Sequence, residues 1–500
     1  MSIALCINGR NDSGFPSAFL DESGTCALGC IREYASSLPG ISDIYYLTSD
    51  SSVPEGYPWS PVSCSGMRDF LKFAAALPDD VTEIVFVHND TPLVNVSITL
   101  EMLADHKKYH AEFTFAEGFP LGFAPEILSR EGVTHLANIL GDADMPLAKG
   151  ALFDAVAKDI NAFDLETKIS KKDMRSYRVA LGMDTKQQFL ATRNIYRACT
   201  EGGRKVDEDV LTEVITVREE LQRTLPVYVS VQITDGCPQK CGYCPYPKMN
   251  PELLTARNTM KFDDYQQILG KLKDFMDTSY INISPFGEPS LHPDIYRIIQ
   301  STADNGFTAV VETSGLGWDR EKVKSLTDAC KGNLLWIVSI DSNDPKLYST
   351  LRGEGFSEAF EFAKFITEAA PETGYVQCVR MKENEDLLEP FYRFWKERTD
   401  NIIIQKYDWY SGFLPENTVS DISPIHRNVC WHLKRDLTIL LDGTVPLCKA
   451  DVKRTRVLGN IFTDAVEKIW QNALPVFREH ADKKYEGICE GCDEYYTYNF

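Results

Sequence analysis

Seven of the 14 cysteines in this 500-residue chain fall into two spaced groups. The first group is Cys237, Cys241 and Cys244, with the spacing C-x3-C-x2-C in one loop. Thiolates are soft ligands and are the usual holders of iron–sulfur clusters. Three of them on a 4Fe–4S cluster leave one iron open to a substrate or cofactor. Zinc is the alternative, but it prefers four ligands, and this loop has no histidine to complete the set.

The second group lies near the C-terminus, and its members are Cys430, Cys448, Cys489 and Cys492. Four cysteines are enough for a structural zinc knuckle or for an iron–sulfur cluster. The other seven cysteines are scattered, and we expect them to behave as small apolar side chains. In a reducing compartment, clustered cysteines indicate metal binding or catalysis rather than disulfides.

The first group, with the aromatic Tyr243 just before its third cysteine, resembles the radical S-adenosylmethionine (SAM) superfamily. The resemblance implies that SAM chelates the open iron and that electron transfer from the reduced cluster cleaves the SAM molecule. The resulting 5′-deoxyadenosyl radical would take a hydrogen atom from the substrate. It also implies a reducing electron donor, such as flavodoxin or ferredoxin, and places Tyr243 near the adenine.

Further segments resemble the same superfamily at the ends of successive predicted strands. Residues 286–289 (FGEP) match the segment that binds the SAM amino group, with Phe286 in place of its first glycine. Ser339 and Asp341 match the segment that meets the SAM ribose and carboxylate, although helix capping or turn chemistry is an alternative for each. The residues expected to bind SAM are Tyr243, Gly287, Glu288, Pro289, Ser314, Ser339 and Asp341.

The second cysteine group follows in the order found in the SPASM and twitch extensions of radical SAM enzymes. A full SPASM extension carries more cysteines and two auxiliary clusters, so four cysteines imply one auxiliary 4Fe–4S cluster. A cluster with four protein ligands does not easily bind substrate, but it can accept an electron. The resemblance therefore favours a net oxidation. The whole arrangement resembles the spiro-SPASM proteins.

The elements that would position these residues are typical of an α/β protein. Residues 1–190 alternate strand and helix patterns, and residues 191–225 are predicted to form a helical connector. Six apolar runs separated by amphipathic stretches predict a partial (β/α)6 barrel over residues 226–425. The motifs fall at the C-terminal ends of these strands, where parallel barrels carry their reactive groups. Residues 426–500 are predicted to form a small iron–sulfur domain.

The N-terminal region resembles another family. Residues 89–93 (NDTPL) follow an apolar strand and resemble the metal-binding Asp-x-Pro-Leu segment of sugar-nucleotide and molybdenum-cofactor nucleotidyltransferases. Residues 119–126 correspond to that family's mid-domain turn. Its glycine-rich, basic phosphate loop is missing, since residues 8–14 offer only Arg10 as a base. We therefore expect a nucleotidyltransferase-like domain that is catalytically silent, with Asp90 either a metal ligand or a plain turn residue.

Charge and hydropathy restrict the partners. The net charge of −21 repels the phosphate backbones of nucleic acids and anionic membrane surfaces. The N-terminus lacks the basic start and apolar stretch of a signal peptide, and no apolar run is long enough to cross a bilayer. We therefore expect a cytoplasmic protein with neither nucleic-acid nor membrane partners.

Three functions stay open on the sequence. The first is a radical SAM oxidoreductase that modifies a peptide or protein side chain. The second is a radical SAM dehydrogenase or epimerase of a sugar, cyclitol or nucleotide-linked small molecule, and the third is a non-catalytic, zinc-stapled binding protein. Either catalytic version needs a group that takes a proton from the substrate radical. Asp408, after the sixth predicted strand, is the candidate, with an exposed loop acid as the alternative.

Overall fold

A computed structural model of the protein describes residues 2–10, 13–20, 24–50, 52–141, 143–249, 258–277 and 279–497. Residues 11 and 12 of the N-terminal loop lie outside the described residues. The chain divides into two compact units, Met1–Thr224 and Leu225–Phe500. In the described parts of the chain, no helix combines the length and the apolar content that a membrane crossing requires.

The first unit is built on a mixed seven-stranded sheet. Its strands are β1 (Ser2–Asn8), β2 (Ile41–Thr48), β3 (Ser60–Ser63), β4 (Val81–His88), β5 (Phe113–Glu117), β6 (Glu126–Ser129) and β7 (Leu165–Ile169). They are ordered β3-β2-β1-β4-β6-β5-β7, with β6 antiparallel to both of its neighbours and the other pairs parallel. The central strands β1 and β4 read as nearly continuous apolar runs because both of their faces are covered.

Alternate residues of β1 enter two apolar cores, as the two-residue period of a strand requires. The helices of this unit are α1 (Phe15–Ala18), α2 (Ala27–Ser37), α3 (Met67–Ala75), α4 (Val96–Lys108), α5 (Arg130–Leu140), α6 (Ala151–Val156), α7 (Lys186–Thr200) and α8 (Glu208–Val217). Leu5 packs in a core with residues of α2, α4, α7 and α8, whereas Cys6 packs in a core with residues of α3, α5 and α6. The helices predicted for the connector thus contribute to the core of the first unit, and the predicted boundary at residue 190 stays a prediction.

The second unit contains a parallel seven-stranded sheet and a two-stranded hairpin. Its strands are β8 (Tyr228–Val231), β9 (Tyr280–Asn282), β10 (Thr308–Thr313), β11 (Leu334–Ser339), β12 (Gly374–Arg380), β13 (Ile402–Lys406), β14 (Asp436–Ile439), β15 (Thr444–Pro446) and β16 (Val457–Asn460). The sheet runs β13-β12-β11-β10-β9-β8-β14, and all of its neighbours are parallel. The six predicted barrel strands correspond to β8–β13, and β14 extends the sheet at the edge of β8.

Helices of the second unit alternate with its strands, which confirms the predicted α/β class. They are α9 (Tyr246–Met249), α10 (Phe262–Phe275), α11 (Ile295–Asp304), α12 (Arg320–Cys330), α13 (Pro345–Arg352), α14 (Phe356–Ala369), α15 (Leu388–Lys396), α16 (Trp431–Arg435), α17 (Val466–Gln471) and α18 (Leu474–Ala481). Helix α13 begins with Asp344 as its N-cap and Pro345 in its first turn. Both are favourable there because the cap accepts otherwise unpaired amides and proline needs no donor.

Candidate active site and iron–sulfur ligands

The loop between β8 and α9 carries the first cysteine group and is fixed by backbone hydrogen bonds from two directions. The amide of Lys240 donates to the carbonyl of Arg352 at 2.8 Å, and that of Gly242 donates to Leu351 at 3.1 Å, so the loop is attached to the end of α13. On the other side, the Glu288 amide donates to the Gly236 carbonyl at 2.9 Å. The loop is therefore positioned by the segments that follow β9 and β11.

All three thiols of this group line one cavity of about 180 Å³ in the barrel. Burial raises the pKa of each thiol, to about 12 for Cys244, and neighbouring cysteines add to the shift for Cys237 and Cys244. A thiol with a raised pKa gives up its proton when a metal replaces that proton, so metal binding here is coupled to proton release. The three predicted ligands are thus brought together at one site.

The segment after β9 closes tightly over this loop. Gly287 has φ +83°, and a Cβ there would lie only 2.5 Å from the Thr234 carbonyl oxygen. The Glu288 carboxylate is buried and accepts hydrogen bonds from Thr313 Oγ1 at 2.6 Å and from the amide and hydroxyl of Ser314 at 2.8 and 2.7 Å. Glu288 therefore ties the predicted SAM segment to the end of β10. Pro289 follows it at the start of a short 3-10 helix.

Tyr243 and Asp341 bond to each other and to Arg352. The Tyr243 hydroxyl donates to Asp341 Oδ2 at 2.6 Å, and Arg352 Nη1 lies 2.5 Å from the same oxygen and also donates to Tyr243. The other Asp341 oxygen accepts from the Val379 amide at 2.7 Å. Tyr243, Arg352 and Ser339 line the cavity, whereas Asp341 lies behind its wall. A direct role of Asp341 in SAM binding stays a prediction.

Each of the strands β8–β13 contributes at least one polar residue to the lining of the same cavity, which we call the lumen. These residues include Ser230, Asn282, Glu312, Ser339, Gln377 and Gln405. The register agrees with this, since Ser230 lies opposite Asn282 and Ser339 opposite Gln377. Ser284, just beyond β9, has a buried hydroxyl with no hydrogen-bond partner among the described residues. Such a lumen fits a hydrophilic cofactor and substrate, because buried polar groups require partners.

The second cysteine group also converges. Cys430, Cys448, Cys489 and Cys492 line one cavity of about 40 Å³. Burial raises the pKa of Cys430 to about 12, and Cys489 adds to the shift. The pKa of Cys448 is raised by burial and by all three of the other thiols. Within the described ranges, no three His, Cys, Asp or Glu side chains are close enough to hold a single metal ion. The thiols around a four-iron cluster lie farther apart than those around one ion.

Asp408 and Lys449 line both the lumen and the cavity of the second cysteine group. Asp408 follows β13 and is only 8% exposed, so it is not an exposed loop acid. Burial, reinforced by the charge of Glu494, raises its pKa to about 6 despite the opposing effect of Lys449. Its Oδ1 accepts from the Tyr410 amide at 2.7 Å. Asp408 therefore lies in the lumen wall with a raised pKa, and its role in proton transfer stays a prediction.

Sequence reasoning did not identify Glu312, Lys406 or Lys449, all of which line the lumen. Glu312 is a charged residue that directly follows the apolar run 309–311 of β10 and precedes a predicted motif, and this was an available signal. Lys449 directly follows the predicted ligand Cys448, and this position was likewise a signal that the sequence offered. Lys406 ends β13 and forms ion pairs with Asp493, at 2.6 Å, and with Glu494.

In the first unit, Asp90 forms an ion pair with a lysine, and its role as a metal ligand or a turn residue stays open. Lys149 Nζ lies 2.7 Å from Asp90 Oδ2 and 2.7 Å from Asp184 Oδ1, and the Met183 amide donates to Asp90 at 2.8 Å. Although burial opposes it, the Lys149 ammonium holds the pKa of Asp90 below its ordinary value. A Cβ at Gly9 would lie 2.3 Å from the ring of Tyr46, so the chain packs closely against that ring just after β1.

Family models match two regions of the second unit. Residues 231–394 match the radical SAM superfamily, and residues 430–493 match the SPASM iron–sulfur cluster-binding domain. The first region includes the lumen strands β9–β12 and the first cysteine group. The second includes all four cysteines of the C-terminal group.

The chain is also similar to several proteins of known sequence. An uncharacterized protein of Treponema pallidum (strain Nichols) is 36% identical over 363 residues, which are 70% of this chain and 98% of that protein. A GTP 3′,8-cyclase of Vibrio parahaemolyticus is 31% identical over 176 residues, covering 34% of this chain and 51% of that enzyme. A PqqA peptide cyclase of Rhizobium meliloti is 25% identical over 210 residues, covering 40% of this chain and 54% of that enzyme.

Among solved structures, SuiB of Streptococcus suis bound to its precursor peptide SuiA has a TM-score of 0.44 and 15% identity, covering 59% of this chain and 77% of that one. The family matches confirm the predicted cofactors, which are SAM with its 4Fe–4S cluster and an auxiliary iron–sulfur cluster in the C-terminal region. The chain belongs to the radical SAM superfamily of enzymes and carries a C-terminal SPASM domain.

Proposed function

We propose that this chain is a radical SAM oxidoreductase that removes a hydrogen atom from a peptide or protein side chain in the lumen. Cys430, Cys448, Cys489 and Cys492 would hold the auxiliary cluster, which would supply an acceptor for the electron that the substrate loses. The observation that carries the proposal is that Asp408 and Lys449 line both the lumen and the cavity of the second cysteine group. Similarity to the PqqA peptide cyclase supports a peptide as the substrate.

The residues around the first cysteine group fit the cofactor pair. Cys237, Cys241 and Cys244 would hold the cluster, which leaves one iron for SAM, and the bound pair supplies a radical able to abstract hydrogen. Gly287 allows the backbone after β9 to approach the cysteine loop, and Glu288 orients that backbone through its bonds to β10. Ser314 and Ser339 add hydroxyls to the lumen wall.

Asp408 would take the proton that the substrate releases on oxidation. It lies in the lumen wall, and its pKa of about 6 leaves it ionised at neutral pH while keeping it a stronger base than an ordinary aspartate. Cys430, Cys448, Cys489 and Cys492 would hold the auxiliary cluster on the far side of Asp408 and Lys449. A flavodoxin or ferredoxin would supply the electron that starts each turnover.

A sugar or cyclitol substrate is the second candidate. The polar residues that the six strands β8–β13 contribute to the lumen lining favour it, because they match a ring with many hydroxyl groups better than an apolar side chain.

Iron and sulfide counting on anaerobically reconstituted protein tests the cluster assignments. We expect about eight irons per chain, falling to about four when Cys237, Cys241 and Cys244 are all changed to Ala. A variant with all four C-terminal cysteines changed to Ala (Cys430, Cys448, Cys489 and Cys492) should likewise keep about four irons. The control Cys199→Ala, at a buried cysteine of the first unit, should keep about eight irons. If the wild type instead holds about four irons and the first variant holds none, the C-terminal site binds zinc or is empty.

Reductive cleavage of SAM to 5′-deoxyadenosine by the wild type tests the activity without a known substrate. Protein that binds both clusters but does not cleave SAM under dithionite would contradict the proposal. Product analysis then separates the two candidate functions, because a mass loss of two hydrogens on a peptide supports the first.

A further inference from the structure

One side of the lumen presents charged groups whose hydrogen-bonding capacity is only partly used. Lys449 Nζ lies 3.8 Å from Asp408 Oδ2, beyond hydrogen-bonding distance. That Asp408 oxygen is buried and has no hydrogen-bond partner among the residues that the structure describes. Among the described residues, the one side-chain hydrogen bond to Glu312 is a long one from Asn282 Nδ2 at 3.3 Å. Each of these three charged side chains therefore keeps some hydrogen-bonding capacity for a molecule in the lumen.

Lys406 differs from this set although it lines the same lumen. Its ammonium is held by Asp493 and Glu494, and it donates to the Tyr407 carbonyl at 3.4 Å. Its hydrogen-bond donors are thus used within the protein, and it has little left to offer a ligand. Lys449 is the lumen lysine that remains available.

The balance of charge on this side of the lumen is negative. Two carboxylates, Glu312 and Asp408, face one ammonium, Lys449, and all three are electrostatically coupled, with Glu494 adding to the negative field. A carboxylate or phosphate entering here would meet more negative than positive charge, and repulsion in a poorly solvated site is strong. A hydroxyl can donate to a carboxylate and accept from the ammonium, and an amine can donate to both carboxylates.

We propose that Glu312, Asp408 and Lys449 recognise a neutral or cationic substrate group that carries hydroxyls or amines, and that they exclude carboxylates and phosphates. The inference rests on the proposed function, because it takes the lumen as the substrate site. Both a hydroxyl- or amine-bearing side chain on a peptide and a small sugar or cyclitol have this chemistry.

Calorimetric titration of the iron-loaded, SAM-bound protein with matched probes tests the inference. One set is glucose, glucosamine and glucose 6-phosphate, and the other is the capped tripeptides Gly-Ser-Gly, Gly-Lys-Gly and Gly-Asp-Gly. In the set that matches the substrate, we expect the neutral and amine-bearing probes to bind about tenfold or more tightly than the anionic probe. The set that binds identifies the source of the group.

Two variants assign the effect to these residues. Glu312→Gln should weaken binding of the amine-bearing probe about tenfold, and Lys449→Met should weaken binding of the neutral probe by a similar factor. Glu368→Gln and Lys324→Met, at exposed positions on α14 and α12, should leave both affinities unchanged.

The inference is wrong if the anionic probes bind as tightly as their partners, if no neutral or cationic probe binds, or if the two lumen variants behave like the surface controls. Iron content and reductive SAM cleavage of the wild type need no substrate. Protein that fails those two measurements refutes the proposed function, whereas protein that passes them and yet binds glucose 6-phosphate or Gly-Asp-Gly equally well refutes only this inference.

Discussion

Asp408 Oδ2 and Lys449 Nζ face each other at 3.8 Å in the wall that the lumen shares with the cavity of the second cysteine group. Lys449 follows Cys448 directly in the chain, and Asp408 contributes to the electrostatic environment of Cys492. A charge change at either residue is therefore expected to act on whatever the four C-terminal thiols hold.

Asp408→Asn should raise the reduction potential of the auxiliary cluster, because removing a nearby negative charge stabilises the reduced form. Lys449→Met should lower that potential, and each shift should be on the order of tens of millivolts. Redox titration monitored by electron paramagnetic resonance measures both potentials. Asp386→Asn, at an exposed position, is the control and should leave the potential unchanged. Shifts of the same sign in the two lumen variants would show that charge at this wall does not act on the cluster.

Gly287→Ala should prevent the cysteine loop from forming correctly. The new Cβ would lie 2.5 Å from the Thr234 carbonyl oxygen, and φ is +83°, so the change combines a steric clash with a backbone conformation that costs an L-residue about 1–2 kcal/mol. We expect lower iron incorporation and a lower melting temperature. Gly242→Ala is the matched control, because this glycine of the cysteine loop has nothing within 4 Å of an added Cβ. Equal effects of the two substitutions would contradict the steric explanation.

Arg352→Met should destabilise the second unit by about 3–5 kcal/mol, because it leaves the carboxylate of Asp341 buried without a counter-charge. The double variant Arg352→Met with Asp341→Asn removes both charges and should recover a large part of that loss. Urea unfolding of the wild type, Arg352→Met, Asp341→Asn and the double variant measures the interaction energy. A double variant no more stable than Arg352→Met alone would mean that packing, and not charge, explains the loss.

Stability of the first unit should depend on Glu126. This residue begins β6 and lines a cavity of about 500 Å³, and burial raises its pKa from 4.5 to about 7. Since the folded pKa exceeds the unfolded pKa, the folded state binds the proton more tightly, and stability is lost as pH rises from about 4.5 through about 7. The full loss is up to about 3 kcal/mol, reduced by the solvent that reaches the cavity.

Hydrogen exchange over β4 and β6, corrected for the intrinsic effect of pH, reports this change locally. Protection in the wild type should fall between pH 5 and pH 8, whereas Glu126→Gln, which cannot ionise, should show a smaller fall. A variant with the same pH dependence as the wild type would assign the effect to another group.

The barrel strands could be predicted because each is a continuous apolar run that ends in a recognisable segment. Strand β14 was missed because its four residues, Asp436–Ile439, lie inside the cysteine-rich region and contain little periodicity. It forms only because β8 offers it an edge to pair with. Pairing with a distant edge is a tertiary effect that a short segment does not encode by itself.

Ligand spacing identified the cysteines, but spacing says nothing of which polar side chains share a cavity. Asp341 bonds to Arg352 and to the Val379 amide, which its place in the sequence did not indicate, and its role in SAM binding stays a prediction. Glu312, Asp408 and Lys449 come from three separate segments, and their convergence depends on the curvature of the sheet. A residue's type and its neighbours in sequence do not determine which other side chains line the same cavity.

Strand β14 lies between Cys430 and Cys448, so the edge of the sheet is contained in the loop that an auxiliary cluster would close. Closing that loop reduces the conformational freedom of the segment when β14 is not paired, and it therefore favours the pairing of β14 with β8. In cells short of iron, β14 would be held less firmly, and the backbone of β8 would become an open edge on which other chains can pair. Iron supply would then govern aggregation of this enzyme as well as its activity.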